Sequence, residues 1–167
     1  MPTPFDIAIQ FVLQEEGGDK VSRDPNDRGG TTKWGLSQRT YPTLDIEAVT
    51  RDQAVNRYHE DFWRPHRLGE LPPALAVAAF DCLVNQGPHA GAKALQRALG
   101  VPADGVIGPG TLARAHVGHV TIWLRGFHVE RAVLYAANEQ RGIYGLGWFG
   151  RLFRCYDLCL TLCEDVP

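Results

Sequence analysis

Residues 15–37 carry the residue types that acid/base chemistry requires, because carboxylates, glycines and threonines are concentrated there. Glu15 and Glu16 end an apolar-periodic segment and are followed by two glycines. A carboxyl group in the last turn of a helix faces the negative end of the helix dipole, which favours a group that can donate a proton. Cleavage of a glycosidic bond needs such a general acid. The stretch therefore predicts an acid/base site at a helix end.

The segment in front of the glutamates predicts a helix from about Pro4 to about Glu16, because its apolar residues recur at helical spacing. At about 100° per residue, Glu16 lies roughly 40° from the centre of the apolar face and Glu15 roughly 60°. The angles favour Glu16 as the group that faces inward. The alternative is that both glutamates are solvated charges at a helix end.

A second functional group is expected in the turn-forming residues that follow. Asp24 and Asp27 lie among proline, asparagine and glycine, and a strand-like alternation resumes from Thr31 to Leu36. This pattern predicts a loop or small β-hairpin across a groove from the helix end. A carboxylate there would activate water or stabilise an oxocarbenium-like centre. The spacing along the sequence does not show which of Asp24 and Asp27 supplies this carboxylate.

The runs 12–18 and 24–37 together resemble glycoside hydrolase family 108, the N-acetylmuramidases of phage endolysins and related bacterial proteins. In that family a Glu-Gly-Gly-Tyr motif supplies the catalytic glutamate. The matching position here is Glu16, and Asp19 replaces the tyrosine. The resemblance implies a mainly α, lysozyme-like fold with a small β-hairpin next to the first helix.

A wider similarity exists to phage-type lysozymes, in which a glutamate, an aspartate and a threonine follow one another at comparable spacing. It implies catalytic roles for Asp24 or Asp27 and for Thr32, beside Glu16. Hydrolysis of the β-1,4 bond between N-acetylmuramic acid and N-acetylglucosamine is the reaction that these resemblances imply. Glu16 would protonate the leaving oxygen.

Four further residues are candidates for binding the sugar. Trp34 and Trp63 offer stacking surfaces, although an aromatic residue in a small domain is often part of the core. Asp81 and Asn85 are the polar exceptions in an otherwise apolar predicted helix over residues 74–85, which belongs at the centre of a domain. They match a family pattern and would either line the sugar cleft or link backbone groups internally.

The second half of the chain resembles peptidoglycan-binding modules, through Leu95-Gln96 and then Asp104-Gly105 with Thr111. These residues would serve either glycan binding or the turn itself. We expect a catalytic region over residues 1–88 and a helical peptidoglycan-domain-like region over 89–167, packed as one compact unit. Residues 144–151 are expected to interrupt the helices before a last helix closes the chain.

The composition and charge of the chain exclude some classes of function. The 167 residues are 44% hydrophobic and 22% charged, with a net charge of −2. Nucleic-acid-binding proteins normally carry a basic surplus, so we expect no nucleic-acid partner. The sequence shows no secretory signal and no apolar stretch of transmembrane length, so we expect no stable membrane insertion. We also expect no cofactor and no metal.

The four cysteines are expected to be small core residues in a reducing compartment. They are Cys82, Cys155, Cys159 and Cys163. The spacing of the last three does not fit a structural zinc site. The sequence does not decide whether Cys82 forms a disulfide with one of the other three cysteines.

These expectations describe a monomeric peptidoglycan hydrolase of the bacteriophage endolysin type. It would be made in the host bacterial cytoplasm and would reach the cell wall on the periplasmic side through a lesion made by a holin-type export partner. There it would lyse the wall as an antimicrobial enzyme. The alternatives are a lytic transglycosylase, which leaves an anhydro sugar, a non-catalytic peptidoglycan-binding protein and a secretion accessory.

Overall fold

The computed structural model describes residues 1–23 and 30–163, and these residues are mainly helical. The α-helices are α1 (Pro4–Glu15), α2 (Arg51–Tyr58), α3 (Pro73–Gln86), α4 (Pro88–Leu99), α5 (Pro109–Ala115), α6 (Val120–Ala136) and α7 (Arg141–Thr161). The strands are β1 (Thr32–Lys33) and β2 (Leu36–Ser37), and two short helical turns, π-helical His59–Trp63 and 3-10 Leu68–Glu70, lie between α2 and α3. Asp24 and Asp27 lie outside the described residues.

Helix α1 forms where the sequence predicts it. The Thr3 side chain accepts a hydrogen bond from the backbone of Asp6, whose carboxylate accepts from the Thr3 backbone N–H in return. This capping box satisfies amides that the first turn would otherwise leave unpaired. The helix ends at Glu15, Glu16 is its C-cap residue, and Gly17 follows with φ of +86°. The predicted helix with Glu16 at its end is confirmed.

The small hairpin is also confirmed, and it lies against the end of α1. Strands β1 and β2 pair antiparallel, and the two residues between them, Trp34 and Gly35, have φ of +55° and +77°. Positive φ at both central residues is what a two-residue hairpin turn of type I′ requires. The Trp34 amide donates to the carbonyl of Gly18 at 3.0 Å, which holds the turn beside the helix end.

Helix α3 is the centre of the core. All its residues from Ala74 to Leu83 are buried, and α1, α4, α6 and α7 pack against it. A helix that is apolar on nearly all sides, with Asp81 as its single charged residue, gains most from such a position, because almost no side is left to face water. The predicted central helix is therefore confirmed.

A buried glutamine organises the Asp-Gly turn of the second half. The Gln96 amide nitrogen donates to Asp104 Oδ1 at 2.7 Å and to the Thr111 hydroxyl at 3.2 Å, and its amide oxygen accepts from the Gly105 amide at 2.8 Å. Gly105 has φ of +85°, a conformation that favours glycine. The motif residues thus satisfy one another's polar groups and hold this turn together.

Residues 144–151 do not interrupt the helices, contrary to the expectation from their glycines. They lie inside α7, which runs unbroken for 21 residues. A glycine costs about 1 kcal/mol in a helix interior relative to alanine. Packing of α7 against α6 and α3 outweighs that local cost.

The cysteines take core positions, with Cys82, Cys155 and Cys159 buried and Cys163 half-buried. None of the four forms a disulfide in this structure. Among residues 1–23 and 30–163, no helix combines the length and the apolarity needed to cross a membrane.

Candidate active site

A groove of about 250 Å³ opens beside the end of α1, and Glu16 lies in it. The Glu16 side chain is 26% exposed, so it faces the groove and is not free in bulk solvent. The groove is built from the end of α1, the hairpin turn, α2 and its π-helical extension, and the end of α3. Its other lining residues are Gly35, Leu36, Thr40, Tyr41, Tyr58, Phe62, Val84 and Asn85.

Glu16 is held by an arginine from the far end of the chain. Arg151, on α7, donates from Nη1 to Glu16 Oε1 at 2.7 Å and from Nε to Asp81 Oδ1 at 2.8 Å. Burial alone would lower the pKa of Arg151, but the charges of Asp81 and Glu16 raise it above its usual value. The guanidinium stays charged and its planar fork fixes one oxygen of Glu16.

Asp81 anchors that arginine from the core. Its side chain is fully buried, and its second oxygen accepts from Arg131, which is also fully buried. Burial would raise the pKa of Asp81, but the two guanidinium groups outweigh that effect and hold the pKa below its usual range. Asp81 is therefore an ionised link between two arginines, and through Arg151 it positions Glu16.

The neighbouring glutamate has different surroundings. Glu15 accepts two hydrogen bonds from Arg154, at 2.8 and 2.7 Å, and does not line the groove. The Arg154 side chain is 57% exposed and the Glu15 side chain 13%, so the arginine of this pair lies at the surface while the carboxylate is mostly covered. The structure thus places Glu16, and not Glu15, in the groove.

The hairpin turn closes tightly over Glu16. The Tyr58 hydroxyl donates to the Trp34 carbonyl at 3.1 Å. A Cβ atom built on Gly35 would collide with that hydroxyl and lie 2.8 Å from Cγ of Glu16, so only glycine fits. Burial raises the pKa of Tyr58 and the negative charge of Glu16 raises it further, which keeps the phenol protonated as a donor.

Two further polar groups lie on the groove wall. The Tyr41 hydroxyl donates to Asp61 Oδ2 at 2.7 Å, and burial followed by this hydrogen bond raises the Tyr41 pKa. Asn85 accepts a hydrogen bond from the Tyr135 hydroxyl through Oδ1. That bond orients the amide, so Asn85 presents a fixed polar group to the groove.

The other predicted site residues take different places. Thr32 lies on β1 with its hydroxyl directed to the Gly30 carbonyl at 3.4 Å. Trp34 is half-buried at the hairpin turn and packs against the core. Direct sugar binding by Trp63 and Asp81 does not fit the structure. Trp63 is 7% exposed and packs edge-on against two phenylalanines, and Asp81 has no exposed surface.

Sequence reasoning gave no site role to Arg151, Tyr41 or Tyr58. The signal for Arg151 is a charge flanked by the apolar residues Phe149, Leu152 and Phe153 of α7. A charge in such surroundings is buried only when it is paired. Its partner could not be named, because 135 residues separate Arg151 from Glu16.

Within the described parts of the chain, no group of three or more histidine, cysteine, aspartate or glutamate side chains is arranged to hold a metal ion. The groove presents a carboxyl group that an arginine orients, with phenol and amide groups around it. A carboxyl group in such a place can give a proton to a bound oxygen when it is protonated.

The class of protein follows from the fold. The structure of SagA from Brucella abortus matches with a TM-score of 0.87 and 27% sequence identity, and the alignment covers 96% of each chain. This match and the arrangement of helices and hairpin define a mainly α, lysozyme-like fold.

The family comes from a second comparison. The family model described as glycosyl hydrolase 108 matches residues 9–87, which include the hairpin, Glu16 and Asn85. A comparison of the sequence with curated proteins gives no match. Residues 9–87 are therefore similar to glycosyl hydrolase family 108, and the chain is a glycoside hydrolase. The two matches together support peptidoglycan as its substrate.

Proposed function

We propose that the protein is an N-acetylmuramidase that hydrolyses the β-1,4 bond between N-acetylmuramic acid and N-acetylglucosamine, with Glu16 as the general acid. The observation that carries this proposal is the position of Glu16 in a groove at the end of α1, held by Arg151. Both features are what an acid catalyst needs, since it must reach the substrate and keep one orientation.

The Glu16 carboxyl group has two oxygens with different roles in this proposal. Oε1 accepts the hydrogen bond from Arg151, and no described residue donates a hydrogen bond to Oε2. Oε2 would carry the proton and give it to the bridging sugar oxygen as the glycosidic bond breaks. Arg151 is then a positioning residue. The Tyr41 and Tyr58 hydroxyls donate their protons to Asp61 and to the Trp34 carbonyl, so their oxygens are hydrogen-bond acceptors for the sugar hydroxyls.

The second group comes from the segment between α1 and the hairpin. We assign it to Asp24 or Asp27, with Thr32, to position water or to steady the developing positive charge. The stereochemistry of the product depends on the distance between the two carboxyl groups, about 5–5.5 Å for retention and about 6.5–9.5 Å for inversion. The anomer that forms first, observed by NMR, distinguishes the two.

The biological role that we propose is that of a bacteriophage endolysin. The support is the resemblance of residues 12–18 and 24–37 to the endolysin muramidases. In this role a monomeric enzyme is made in the bacterial cytoplasm, passes a membrane lesion made by a holin-type partner, and cleaves peptidoglycan on the periplasmic side. The division into a catalytic region over residues 1–88 and a peptidoglycan-domain-like region over 89–167 is part of the same proposal.

The test is the lysis of purified murein by wild type and by Glu16→Gln. The amide cannot donate the proton, so we expect the rate to fall by roughly 10²- to 10⁴-fold or more, with an unchanged circular dichroism spectrum. Glu15→Gln is the matched control and should keep its activity, because Glu15 lies outside the groove. Full activity of Glu16→Gln would refute the assignment.

The released fragments identify the reaction. Mass spectrometry should find reducing N-acetylmuramic acid ends, because water completes the cleavage. Anhydro-muramic acid ends would instead show a lytic transglycosylase and overturn the hydrolase proposal.

A further inference from the structure

A second groove, of about 430 Å³, lies between α6 and α7 and is called here the α6–α7 groove. It lies on the side of α7 that faces away from the catalytic groove. Phe149 and Phe153 line it, and each is two positions from Arg151, which places them about 160° around the helix from the residue that holds Glu16. The described lining residues are Arg125, His128, Val129, Ala132, Phe149, Leu152, Phe153 and Tyr156.

Apolar side chains continue along both rims of the α6–α7 groove and face solvent. Ile122, Val129 and Val133 on α6 are each more than half exposed, and on α7 Phe153 is 65% and Leu146 92% exposed. Spacings of four and seven residues place the members of each helix on one side of that helix. Large apolar patches are rarely left uncovered on a monomeric protein, and those that are left commonly bind a partner.

The α6–α7 groove also carries a charge without a counter-ion. Arg125 lines it, and no aspartate or glutamate is among its described lining residues. Within residues 1–23 and 30–163, Arg125 forms no ion pair or hydrogen bond through its side chain. A partner that covers the groove removes water from the guanidinium, which costs free energy unless a carboxylate takes the place of that water. The partner must therefore bring an acidic group of its own.

The shape of the α6–α7 groove suits an α-helix. Both walls are helices, so the face offers no strand edge to which a peptide could add as a β-strand. Ile122 and Val133 are eleven positions apart, so the α6 rim spans roughly 16 Å, or about three helical turns. An amphipathic helix of that length can insert its apolar stripe between two packed helices.

We propose that the α6–α7 groove binds an amphipathic helix of another protein, whose apolar stripe packs on Phe149 and Phe153 and whose acidic side chain pairs with Arg125. The inference goes beyond peptidoglycan hydrolysis and does not depend on it. A second copy of this chain fits less well, because a two-fold interface brings the same patch against itself and this patch supplies a cation but no acid. An anionic lipid surface is recognised by clusters of lysine and arginine, whereas the groove has one arginine.

The test uses two synthetic helical peptides that differ in one residue. Both have about 14 residues, or four turns, with leucines at positions i, i+3, i+7 and i+10. One peptide carries a glutamate beside this stripe, and the other carries a lysine at the same place. Binding to the full chain is measured by fluorescence anisotropy, and we expect the glutamate peptide to bind about tenfold more tightly. Equal affinity for the two peptides, or no saturable binding of the glutamate peptide up to about 1 mM, would overturn the proposal.

Variants of the chain connect this binding to the groove. Arg125→Glu inverts the charge and should reverse the preference, so that the lysine peptide binds more tightly. Val129→Asp should weaken binding of the glutamate peptide by about tenfold or more. Val117→Asp is the matched control, because Val117 is also 59% exposed but lies between α5 and α6, outside the groove. It should bind as wild type does, and equal weakening by the two valine variants would show that the peptide binds elsewhere.

The other occupants are tested with the same variants. Sedimentation equilibrium should find a monomer, and vesicles that contain phosphatidylglycerol should not bind the chain. A dimer that Val129→Asp dissociates would assign the groove to a second copy of this chain. Vesicle binding that Val129→Asp abolishes would assign it to lipid. Either result would overturn the proposal of a partner helix.

Discussion

Replacement of Asp81 by asparagine tests the link between the core and the catalytic groove. The change removes the negative charge between Arg131 and Arg151 while preserving the size of the side chain. Removing one partner of a buried ion pair leaves an uncompensated charge and costs about 3–5 kcal/mol. Arg131 is fully buried, so we expect the full effect. For a chain of this length, about 1 kcal/mol shifts Tm by roughly 2–4 °C, which predicts a fall of about 6–20 °C.

The assay is thermal unfolding followed by circular dichroism at pH 7. Glu70→Gln is the control, because it breaks a bidentate but solvent-exposed pair with Arg67 and should leave Tm almost unchanged. A Tm of Asp81→Asn within 2 °C of wild type, an interval of roughly one half to 1 kcal/mol, would refute the reasoning that the Asp81 charge holds this core together.

The same variant predicts how stability depends on pH. The folded-state pKa of Asp81 lies below its usual range, so its contribution is present above the unfolded-state pKa, near about 3.9, and is lost as the pH falls through the lower folded value. The Tm difference between wild type and Asp81→Asn should therefore be constant from about pH 5 to 8 and shrink below about pH 4. A difference that grows on acidification would contradict this sign.

Two further substitutions act on the geometry around Glu16. Arg151→Lys replaces the planar guanidinium fork by one ammonium group, which cannot hold Glu16 and Asp81 in the same way. We therefore expect kcat to fall by roughly 10- to 100-fold with little change in KM. An unchanged kcat would show that Arg151 does not position Glu16. Gly35→Ala should abolish most murein lysis, because its Cβ meets Tyr58 and Glu16. The control is Gly100→Ala, because Gly100 has a similar φ of +70° and no atom within 4 Å of an added Cβ. This variant should lose stability but keep its murein lysis. Equal lysis by the Gly35→Ala and Gly100→Ala variants would contradict the crowding argument.

Several elements could be predicted from the sequence because their signals are local. Thr50 and Gln53 form the capping box that begins α2, and a threonine followed three residues later by a glutamine is the sequence signature of such a box. The nearly continuous apolar run of α3 predicts a central helix. Glu16 could be placed at the end of α1 for the same reason, since an apolar period and a glycine pair fix the helix and its last residue.

Other features depend on partners far away in the chain. Trp63 packs in the core because its ring contacts the ring of Phe80. No helical or strand period in the sequence links these two residues, so this contact could not be predicted. Asp81 was a candidate for the sugar cleft because it is a polar residue in an apolar helix. The structure turns it inward, because arginines from α6 and α7 reach it there. The chemistry of Asp24 and Asp27 stays a prediction, outside the described residues.

The sequence by itself thus determined the helix that carries Glu16, the hairpin beside it and the buried helix behind it. Only the tertiary structure decided that Arg151 orients the carboxyl group and that Asp81 orients Arg151. The physical reason is distance along the chain. Capping, helical period and turn conformation involve residues a few positions apart, whereas an ion pair between residues 16 and 151 exists only after α7 has packed on α3 and brought the two charges together.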